Sequence, residues 1–308
     1  MRVVVTGANG LLGGGAVAQL AGRHEVLALG RGPCRLPAGP YRWADTDLGD
    51  GRSVEAALRE FRPEAVLRAG AATDVDGCER DPALAWRRSP PSFSAFVNVG
   101  RTEQVARACA ALGARLVAVS TYYVFDGEAG PYAEEDAPNP RGVYARTKRC
   151  GEEAALVLVR DCAVARVAVV YSGRPGAKAT FATQVVEKLS RGEPVKAFSD
   201  QYVTTTLAAS GAAMCLELLL ETDCRGVLHT SDATVLSRVE FAQAMARRFG
   251  LSGEIVPVRT AEVKLPAPRP LRGGLRVERA AKLLKAKPLD IEAALSRFRC
   301  EGQWSTLP

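Results

Sequence analysis

Histidine is nearly absent from this chain, which has only His24 and His229 among its 308 residues. A histidine-rich metal site is therefore not expected, and we predict that the protein binds no metal. The eight cysteines include no Cys-x-x-Cys pair and are scattered along the chain. In a chain of this length, that spacing indicates reduced, packed thiols rather than a framework of disulfides.

Long hydrophobic runs are also missing. No segment approaches the roughly 18 consecutive apolar residues of a membrane helix. The apolar run Arg2–Val5 breaks at once into a glycine turn, unlike a signal peptide. We therefore expect a cytoplasmic protein without a membrane partner.

Aromatic residues are few, at 6%, although the net charge is +7. Nucleic-acid binding favours a basic stripe with interleaved aromatic residues, so no nucleic-acid partner is expected. A positively charged cleft would instead attract an anionic ligand, such as a nucleotide cofactor or a nucleotide-linked substrate.

Short apolar runs alternate with amphipathic stretches through the first half of the chain. The predicted strands are Arg2–Val5, His24–Leu29, Glu64–Arg68, Arg115–Ser120 and Cys162–Tyr171. The predicted helices between them are Leu11–Ala21, Val54–Phe61, Val97–Leu112 and Val143–Leu158. This alternation is typical of an α/β fold whose parallel sheet is covered on both faces, the doubly wound Rossmann type.

The alternation loosens after about residue 172. Predicted helices here are Ala179–Arg191, Leu207–Glu221, Arg238–Phe249 and Val277–Lys285, and Leu265–Arg272 is a proline-rich, basic loop. We predict a dinucleotide-binding domain over residues 1–171 and a smaller C-terminal α/β substrate lobe over residues 172–308. The chain is expected to cross back from the lobe to the first domain.

A glycine pattern, Thr6-Gly7-Ala8-Asn9-Gly10-Leu11-Leu12-Gly13, follows the first strand directly. Gly7 permits the tight turn, Gly10 lets the backbone approach a pyrophosphate, and Gly13 lets the helix lie close to the sheet. The start of the helix then directs free N–H groups and its dipole at the phosphates. The predicted cofactor-binding residues of this segment are Gly7, Asn9, Gly10, Leu11, Leu12 and Gly13.

The end of the second strand indicates which dinucleotide is bound. Arg31 stands where NAD-binding proteins usually carry an acidic residue, which favours the 2′-phosphate of NADP. We therefore predict NADP, with NADPH preferred and NAD left open. Asp47 and Leu48 are predicted to border the adenine, and the turn Ala69-Gly70-Ala71 to contact the cofactor as well.

Tyr144 and Lys148 lie four residues apart and therefore share one helix face. A carbonyl reductase needs an acid that protonates the oxygen as hydride reaches the carbon. A nearby ammonium lowers the pKa of a tyrosine toward the working pH, and we expect Lys148 to do this. Thr121 ends the preceding strand at the ligand-binding edge of the sheet, where its hydroxyl would hold the substrate carbonyl.

These motifs resemble those of extended short-chain dehydrogenases/reductases and, more narrowly, of the dTDP-4-dehydrorhamnose reductase family. The most specific stretch is Ser120-Thr121-Tyr122-Tyr123-Val124-Phe125-Asp126-Gly127. Supporting segments are Gly130-Pro131-Tyr132, Thr73-Asp74-Val75-Asp76, Asn98-Val99-Gly100, Asp200-Gln201 and Arg269-Pro270-Leu271. The resemblance implies an oxidoreductase whose catalytic residues are Thr121, Tyr144 and Lys148. Hydride would pass from NADPH to the C4 ketone of a deoxyhexose carried on thymidine diphosphate, Tyr144 would supply the proton, and a homodimer is left open.

Several positions depart from the family pattern, and they keep two other functions open. The departures are Arg68, Ala72, Tyr122, Val203 and Thr205, together with a predicted surface insertion at Arg87–Phe96. Departures near the cleft favour a non-catalytic NADP-binding regulatory subunit, similar to the beta subunit of methionine adenosyltransferase. A nucleotide-sugar epimerase or dehydratase is the third hypothesis, ranked last because Tyr122 is not acidic.

Overall fold

The computed structural model describes residues 1–46, 51–80 and 96–302. The strands of the first part are β1 (Arg2–Thr6), β2 (Glu25–Gly30), β3 (Arg42–Asp45), β4 (Ala65–Arg68), β5 (Arg115–Thr121) and β6 (Cys162–Val167). The helices are α1 (Leu11–Leu20), α2 (Gly51–Phe61), α3 (Val75–Arg80), α4 (Arg101–Leu112) and α5 (Val143–Leu158). A π-helical turn, Phe96–Gly100, leads directly into α4.

The second part alternates shorter elements. In chain order they are β7 (Val170–Tyr171), α6 (Phe181–Ser190), β8 (Val195–Phe198), β9 (Tyr202–Thr204), β10 (Thr206–Leu207), α7 (Ala208–Leu220), β11 (Gly226–His229), β12 (Val235–Ser237), α8 (Arg238–Phe249), β13 (Ile255–Val258), α9 (Glu278–Leu283) and α10 (Ile291–Cys300).

Seven parallel strands form the central sheet, in the order β11-β6-β5-β4-β1-β2-β3. Its strands are apolar along their length because both faces are covered, and Val3, Val4 and Val5 have no solvent exposure. Helices α1 and α7 pack together on one face, whereas α2, α4 and α5 cover the other. The predicted doubly wound α/β fold is confirmed.

The carboxyl ends of β1, β4 and β5 meet at one edge of this sheet, since these strands are adjacent and parallel. The glycine turn after β1, the Ala69–Ala71 turn after β4 and Thr121 at the end of β5 are thereby brought together. Loops at this edge form the usual ligand-binding crevice of doubly wound sheets.

The predicted continuous strand Cys162–Tyr171 is wrong, because the strand breaks at Ala168 and Val169. The hydroxyl of Thr206 donates to the carbonyl of Ala168 at 2.6 Å, and the amide of Ala168 lies 3.3 Å from the same hydroxyl oxygen. Val169 then adopts a φ of +34°, a strained conformation for a β-branched residue. The apolar composition predicted burial correctly, but it carried no signal for the bend.

Much of the second part was not predicted from the sequence. Its strands have two to four residues, too few to show a period of two, and they pair as β7–β10, β8–β13 and β9–β12. Helix α10 was missed, and α9 is shorter than the predicted Val277–Lys285. An aromatic core around Tyr171, Phe241, Phe249 and Phe298 holds this part together.

The chain crosses back to the central sheet after α7, where β11 pairs in parallel with β6. The division at residues 1–171 and 172–308 itself stays a prediction. Within residues 1–46, 51–80 and 96–302, no helix has the length and apolar character needed to cross a bilayer. The same residues contain no cluster of three or more His, Cys, Asp or Glu side chains suited to a metal ion.

Candidate active site

A cleft of about 1260 Å³ runs along the carboxyl edge of the sheet and on to α6 and α8. The predicted site residues that line it are Gly7, Asn9, Gly10, Leu11, Leu12, Gly13, Arg31, Ala69, Gly70, Ala71, Thr121, Tyr144 and Lys148. Asp47 and Leu48 lie outside the described residues, as does the predicted insertion apart from Phe96. The structure therefore brings the described candidates into one cleft, and their roles stay predictions.

The glycine turn is packed so closely that it leaves no room for side chains. Gly7 has a φ of +67°, and a Cβ there would lie 2.5 Å from the Cα of Gly70. A Cβ on Gly13 would lie 2.3 Å from the carbonyl oxygen of Gly7. Helix α1 begins at Leu11 without a side-chain cap, so its first N–H groups are available to the cleft.

Asn9 shapes the basic loop beside the glycine turn. Its side-chain amide donates to the carbonyls of Arg31 and Pro33, both at 3.0 Å, and its side-chain oxygen accepts from the amide of Arg35 at 2.9 Å. Arg31 and Arg35 are both exposed and both line the cleft. Arg35 was not predicted, since its place in the cleft depends on this fold of the loop.

The turn Ala69–Ala72 is held from behind by two side chains. Arg68, which is buried, donates to the carbonyls of Gly70 and, at 2.7 Å, Val97. Asn98 in the π-helical turn accepts from the amide of Ala72 at 3.0 Å and donates to its carbonyl at 3.2 Å. Burial lowers the pKa of Arg68 to about 10. Arg68 thus adds a buried charge next to the cleft.

The Thr121 hydroxyl lies within hydrogen-bonding reach of the Tyr144 phenol. Burial raises the pKa of Tyr144 above its usual value, whereas the hydrogen bond from the Thr121 hydroxyl acts in the opposite direction. The predicted net lowering of this pKa toward the working pH is therefore wrong in this structure, because desolvation outweighs the lowering effects. The consequence is a phenol that keeps its proton at neutral pH.

Lys148 is buried on the next turn of α5, and its ammonium donates to the carbonyl of Val119 at 2.7 Å. Its pKa is lowered to about 7, first by burial and then by the charge of Arg68, while Glu152 acts in the opposite direction. Lys148 therefore changes its charge near neutral pH.

Glu152 lies one turn beyond Lys148 and forms a buried ion pair with Arg166. The carboxylate accepts from Nε of Arg166 at 2.9 Å and from Nη2 at 2.8 Å, and both side chains are 1% exposed. Burial raises the pKa of Glu152, but the hydrogen bonds and charge of Arg166 outweigh it, so the pKa is lowered. This pair anchors α5 to β6 directly behind the cleft.

The other end of the cleft is aromatic and cationic. Tyr122 packs against Tyr123 with ring centroids 4.6 Å apart, and Tyr123 packs against Tyr144 at 5.6 Å. A Cβ on Gly273 would lie 2.5 Å from the Tyr122 ring, so this glycine makes room for it. Phe181, Phe241 and Arg238 complete this end. Sequence analysis missed all three, because they come from helices far along the chain.

Gly14, which is unusual inside a helix, also has a packing role. A Cβ there would lie 2.5 Å from Nη2 of Arg174. Glycine in a helix costs roughly 1 kcal/mol relative to alanine. The guanidinium of Arg174 therefore occupies space that any larger residue at position 14 would take.

The geometry of this cleft agrees with the comparisons with known proteins. The family described as the RmlD substrate binding domain matches residues 1–302. The chain belongs to this family. The predicted resemblance to the dTDP-4-dehydrorhamnose reductases is thereby confirmed.

The curated proteins that are similar to this chain are of more than one kind. The dTDP-4-dehydrorhamnose reductase of Mycobacterium tuberculosis is 37% identical over 277 residues, which are 87% of this chain and 82% of the relative. The methionine adenosyltransferase 2 subunit beta of Xenopus tropicalis is 31% identical over 287 residues, 92% of this chain and 82% of the relative. Similarity to curated proteins therefore does not by itself distinguish a reductase from a subunit.

A solved structure of the same family matches almost the whole fold. It is dTDP-4-dehydrorhamnose reductase from Bacillus anthracis in complex with NADP. Its sequence is 25% identical to this one, and the two structures match with a TM-score of 0.83. The match covers 98% of this chain and 99% of the Bacillus anthracis chain. The ligand that it holds agrees with the cofactor predicted from the glycine turn and Arg31.

Proposed function

We propose that this protein is an NADPH-dependent reductase of a 4-keto-6-deoxy sugar carried on a nucleoside diphosphate, with thymidine as the nucleoside. The observation that carries the proposal is the meeting of Thr121, Tyr144 and Lys148 in the cleft that the glycine turn opens. The relative from Mycobacterium tuberculosis, named as a dTDP-4-dehydrorhamnose reductase, supports the choice of substrate.

The residues of the cleft fit NADPH. The turn at Gly7 and Gly13 leaves only backbone against the cleft, and the uncapped start of α1 offers N–H groups to phosphates. Arg31 and Arg35 would pair with the 2′-phosphate. When bound, NADPH supplies the hydride.

The roles of the protein's own residues follow from their surroundings. Tyr144 keeps its proton at neutral pH and would donate it to the carbonyl oxygen of the substrate. Thr121, in contact with the phenol, would hold the same oxygen. Lys148 below its pKa of about 7 carries a positive charge that favours the phenolate left on Tyr144.

The direct test is oxidation of NADPH by the purified chain with dTDP-4-dehydro-6-deoxy-L-mannose as substrate. We expect turnover that requires the sugar nucleotide and yields a 4-hydroxy product. Tight NADPH binding without turnover of this substrate or of related keto sugars would refute the reductase.

A regulatory subunit is the second candidate, and Arg68 is the observation that favours it. A buried guanidinium that lowers the pKa of Lys148 weakens a charge on which catalysis would depend. Under this alternative the protein binds NADPH, reduces no sugar nucleotide, and associates with a partner enzyme. The turnover experiment separates the two candidates.

Arg31 is expected to determine the preference for NADPH over NADH. Because Arg31 would pair only with the 2′-phosphate, Arg31→Ala should raise KM for NADPH about 10-fold or more and leave KM for NADH unchanged. Arg42→Ala is the control, since Arg42 is an exposed arginine on β3 that pairs with Glu25 and does not line the cleft. An equal rise in both KM values would refute this role.

The pH dependence of the reaction is expected to follow Lys148. Its pKa is about 7, so the ammonium is present below that pH and is lost above it. We therefore expect kcat/KM for NADPH, which reports groups of the free enzyme, to fall as pH rises from about 6 to about 9. Lys148→Arg keeps the charge and should remove this fall, at a lower rate. A flat profile for the unaltered protein would contradict the assignment.

Two further predictions belong to the same proposal. The protein is expected in the cytoplasm, and residues 1–171 and 172–308 are expected to be its cofactor and substrate units. A homodimer is left open by the proposed function.

A further inference from the structure

One arginine at the aromatic end of the cleft has hydrogen-bonding capacity that the protein does not use. Arg238 is the first residue of α8, and its guanidinium lies over the ring of Phe181, 5.6 Å from the centroid. Its Nη1 atom is buried and has no hydrogen-bond partner in the described parts of the chain. Arg238 lines the cleft, and arginine presents five N–H donors, so this side chain has donors to offer a group bound there.

The start of α8 does not itself offer an anion site. The side chain of Ser237 accepts from the amide of Glu240 at 3.1 Å, and the Glu240 carboxylate accepts from the amide of Ser237 at 2.7 Å. This capping box satisfies donors of the first helical turn. The guanidinium of Arg238 is therefore the group that this part of the cleft presents to a ligand.

Nothing acidic in the described residues neutralises Arg238. None of the ion pairs found among these residues includes it, although arginines elsewhere pair with Asp76, Asp161 and Glu152. Its electrostatic influence on the cleft is visible at Tyr122. Burial raises the pKa of that phenol, and the charge of Arg238 acts to lower it.

The position of Arg238 relates it to the proposed chemistry. A row of packed rings, Tyr144, Tyr123 and Tyr122, leads from the proposed proton donor toward Arg238. Aromatic rings pack well against the apolar faces of a sugar, so a hexose could lie along this row. An anionic substituent on the sugar carbon remote from the reacting carbonyl would then reach the guanidinium.

We propose that Arg238 binds the diphosphate of the nucleotide-linked substrate through charge-assisted hydrogen bonds, while Phe181 holds its guanidinium in place. This inference rests on the proposed function for the identity of the substrate. It adds a binding residue that lies outside the Thr121, Tyr144 and Lys148 group. A diphosphate suits the site because the planar guanidinium can bond two of its oxygens at once.

The test is calorimetric binding of thymidine diphosphate to the full chain saturated with NADP. Arg238→Met keeps an apolar stem over Phe181 but removes the guanidinium. We expect it to raise the Kd of thymidine diphosphate about 10- to 100-fold, the range of a charge-assisted hydrogen bond. Arg247→Met is the matched control, since Arg247 is exposed near the other end of α8, and it should leave the Kd unchanged.

Two further measurements separate binding from a structural role. The Kd of NADPH should be the same in Arg238→Met and the unaltered chain, and with the sugar nucleotide KM should rise while kcat changes little. The inference is overturned if thymidine diphosphate does not bind the unaltered chain, if Arg238→Met binds it equally well, or if NADPH binding weakens in parallel.

These outcomes are distinguishable from failure of the proposed function. Thymidine diphosphate binding that depends on Arg238, without reduction of any keto sugar, would support the diphosphate site and refute the reductase. Turnover with an unchanged KM in Arg238→Met would support the reductase and refute the diphosphate site.

Discussion

Tyr144→Phe is expected to lower kcat by about 10²- to 10⁴-fold, the usual contribution of a positioned acid. The phenol is buried, contacts Thr121 and keeps its proton at neutral pH, so it is suited to donate that proton. Phenylalanine preserves the packing of the ring but has no proton to give. The measurement is single-turnover consumption of NADPH with the keto sugar nucleotide.

Tyr123→Phe is the matched control for this prediction. Its ring lies 5.6 Å from that of Tyr144 and lines the same cleft, yet Tyr123 has no proposed part in proton transfer. We expect kcat within about threefold of the unaltered chain, since Tyr123→Phe removes one hydroxyl and keeps the packing of the ring. The Kd of NADPH should be unchanged in both variants. Nearly full activity in Tyr144→Phe would remove Tyr144 as the acid.

Glu152→Gln is expected to destabilise the fold by about 3–5 kcal/mol, because it leaves the buried charge of Arg166 without its partner. Both side chains of the pair are 1% exposed, and the carboxylate makes two hydrogen bonds to the guanidinium. Urea unfolding monitored by circular dichroism measures the loss. Glu153→Gln alters an exposed carboxylate on the same helix, and it should cost less than about 1 kcal/mol.

The sign of the pH dependence gives a second check on this pair. The pKa of Glu152 is lowered in the fold, so its contribution to stability is present above the pKa of the unfolded chain. That contribution is lost as pH falls through the folded-state pKa. Glu152→Gln should remove this part of the acid sensitivity. Equal losses of unfolding free energy in the Glu152 and Glu153 variants would show that the buried ion pair stabilises the fold no more than an exposed one.

Replacing both members of the pair together should be far less damaging than replacing one. With Glu152→Met and Arg166→Met combined, neither charge remains buried, and a large part of the lost stability should return. Recovery in the double variant would confirm that the single variant fails through an unpaired charge. A double variant as unstable as Glu152→Gln would indicate that shape, rather than charge, is decisive there.

The two motifs with the clearest sequence signals are also those that the structure places as expected. The glycine turn was predictable because Gly7 and Gly13 occupy positions where a Cβ would meet backbone atoms 2.5 Å and 2.3 Å away. Tyr144 and Lys148 share a helix face because their spacing matches the helical repeat. Helix α5 accordingly has the predicted bounds, Val143–Leu158.

Other features were predicted in part or with the wrong sign. Apolar composition indicated that Cys162–Tyr171 is buried, but it carried no information on the bend at Val169. Lys148 was expected to lower the pKa of Tyr144, whereas burial raises it. Desolvation depends on how completely the surrounding elements cover a side chain, and the spacing of two residues on one helix does not contain that information.

The sequence by itself determined the parallel sheet of the first half, the dinucleotide turn and the placement of Tyr144 and Lys148 on one helix face. Each of these depends on residues that are close in the chain, through steric limits on glycine or the period of a helix or strand. Tertiary structure alone decided that β11 returns to the sheet, that Arg68 lies beside Lys148, and that Arg238 faces the same cleft as Tyr144. These features depend on contacts between residues far apart in the chain, which form only when the helices and strands pack together.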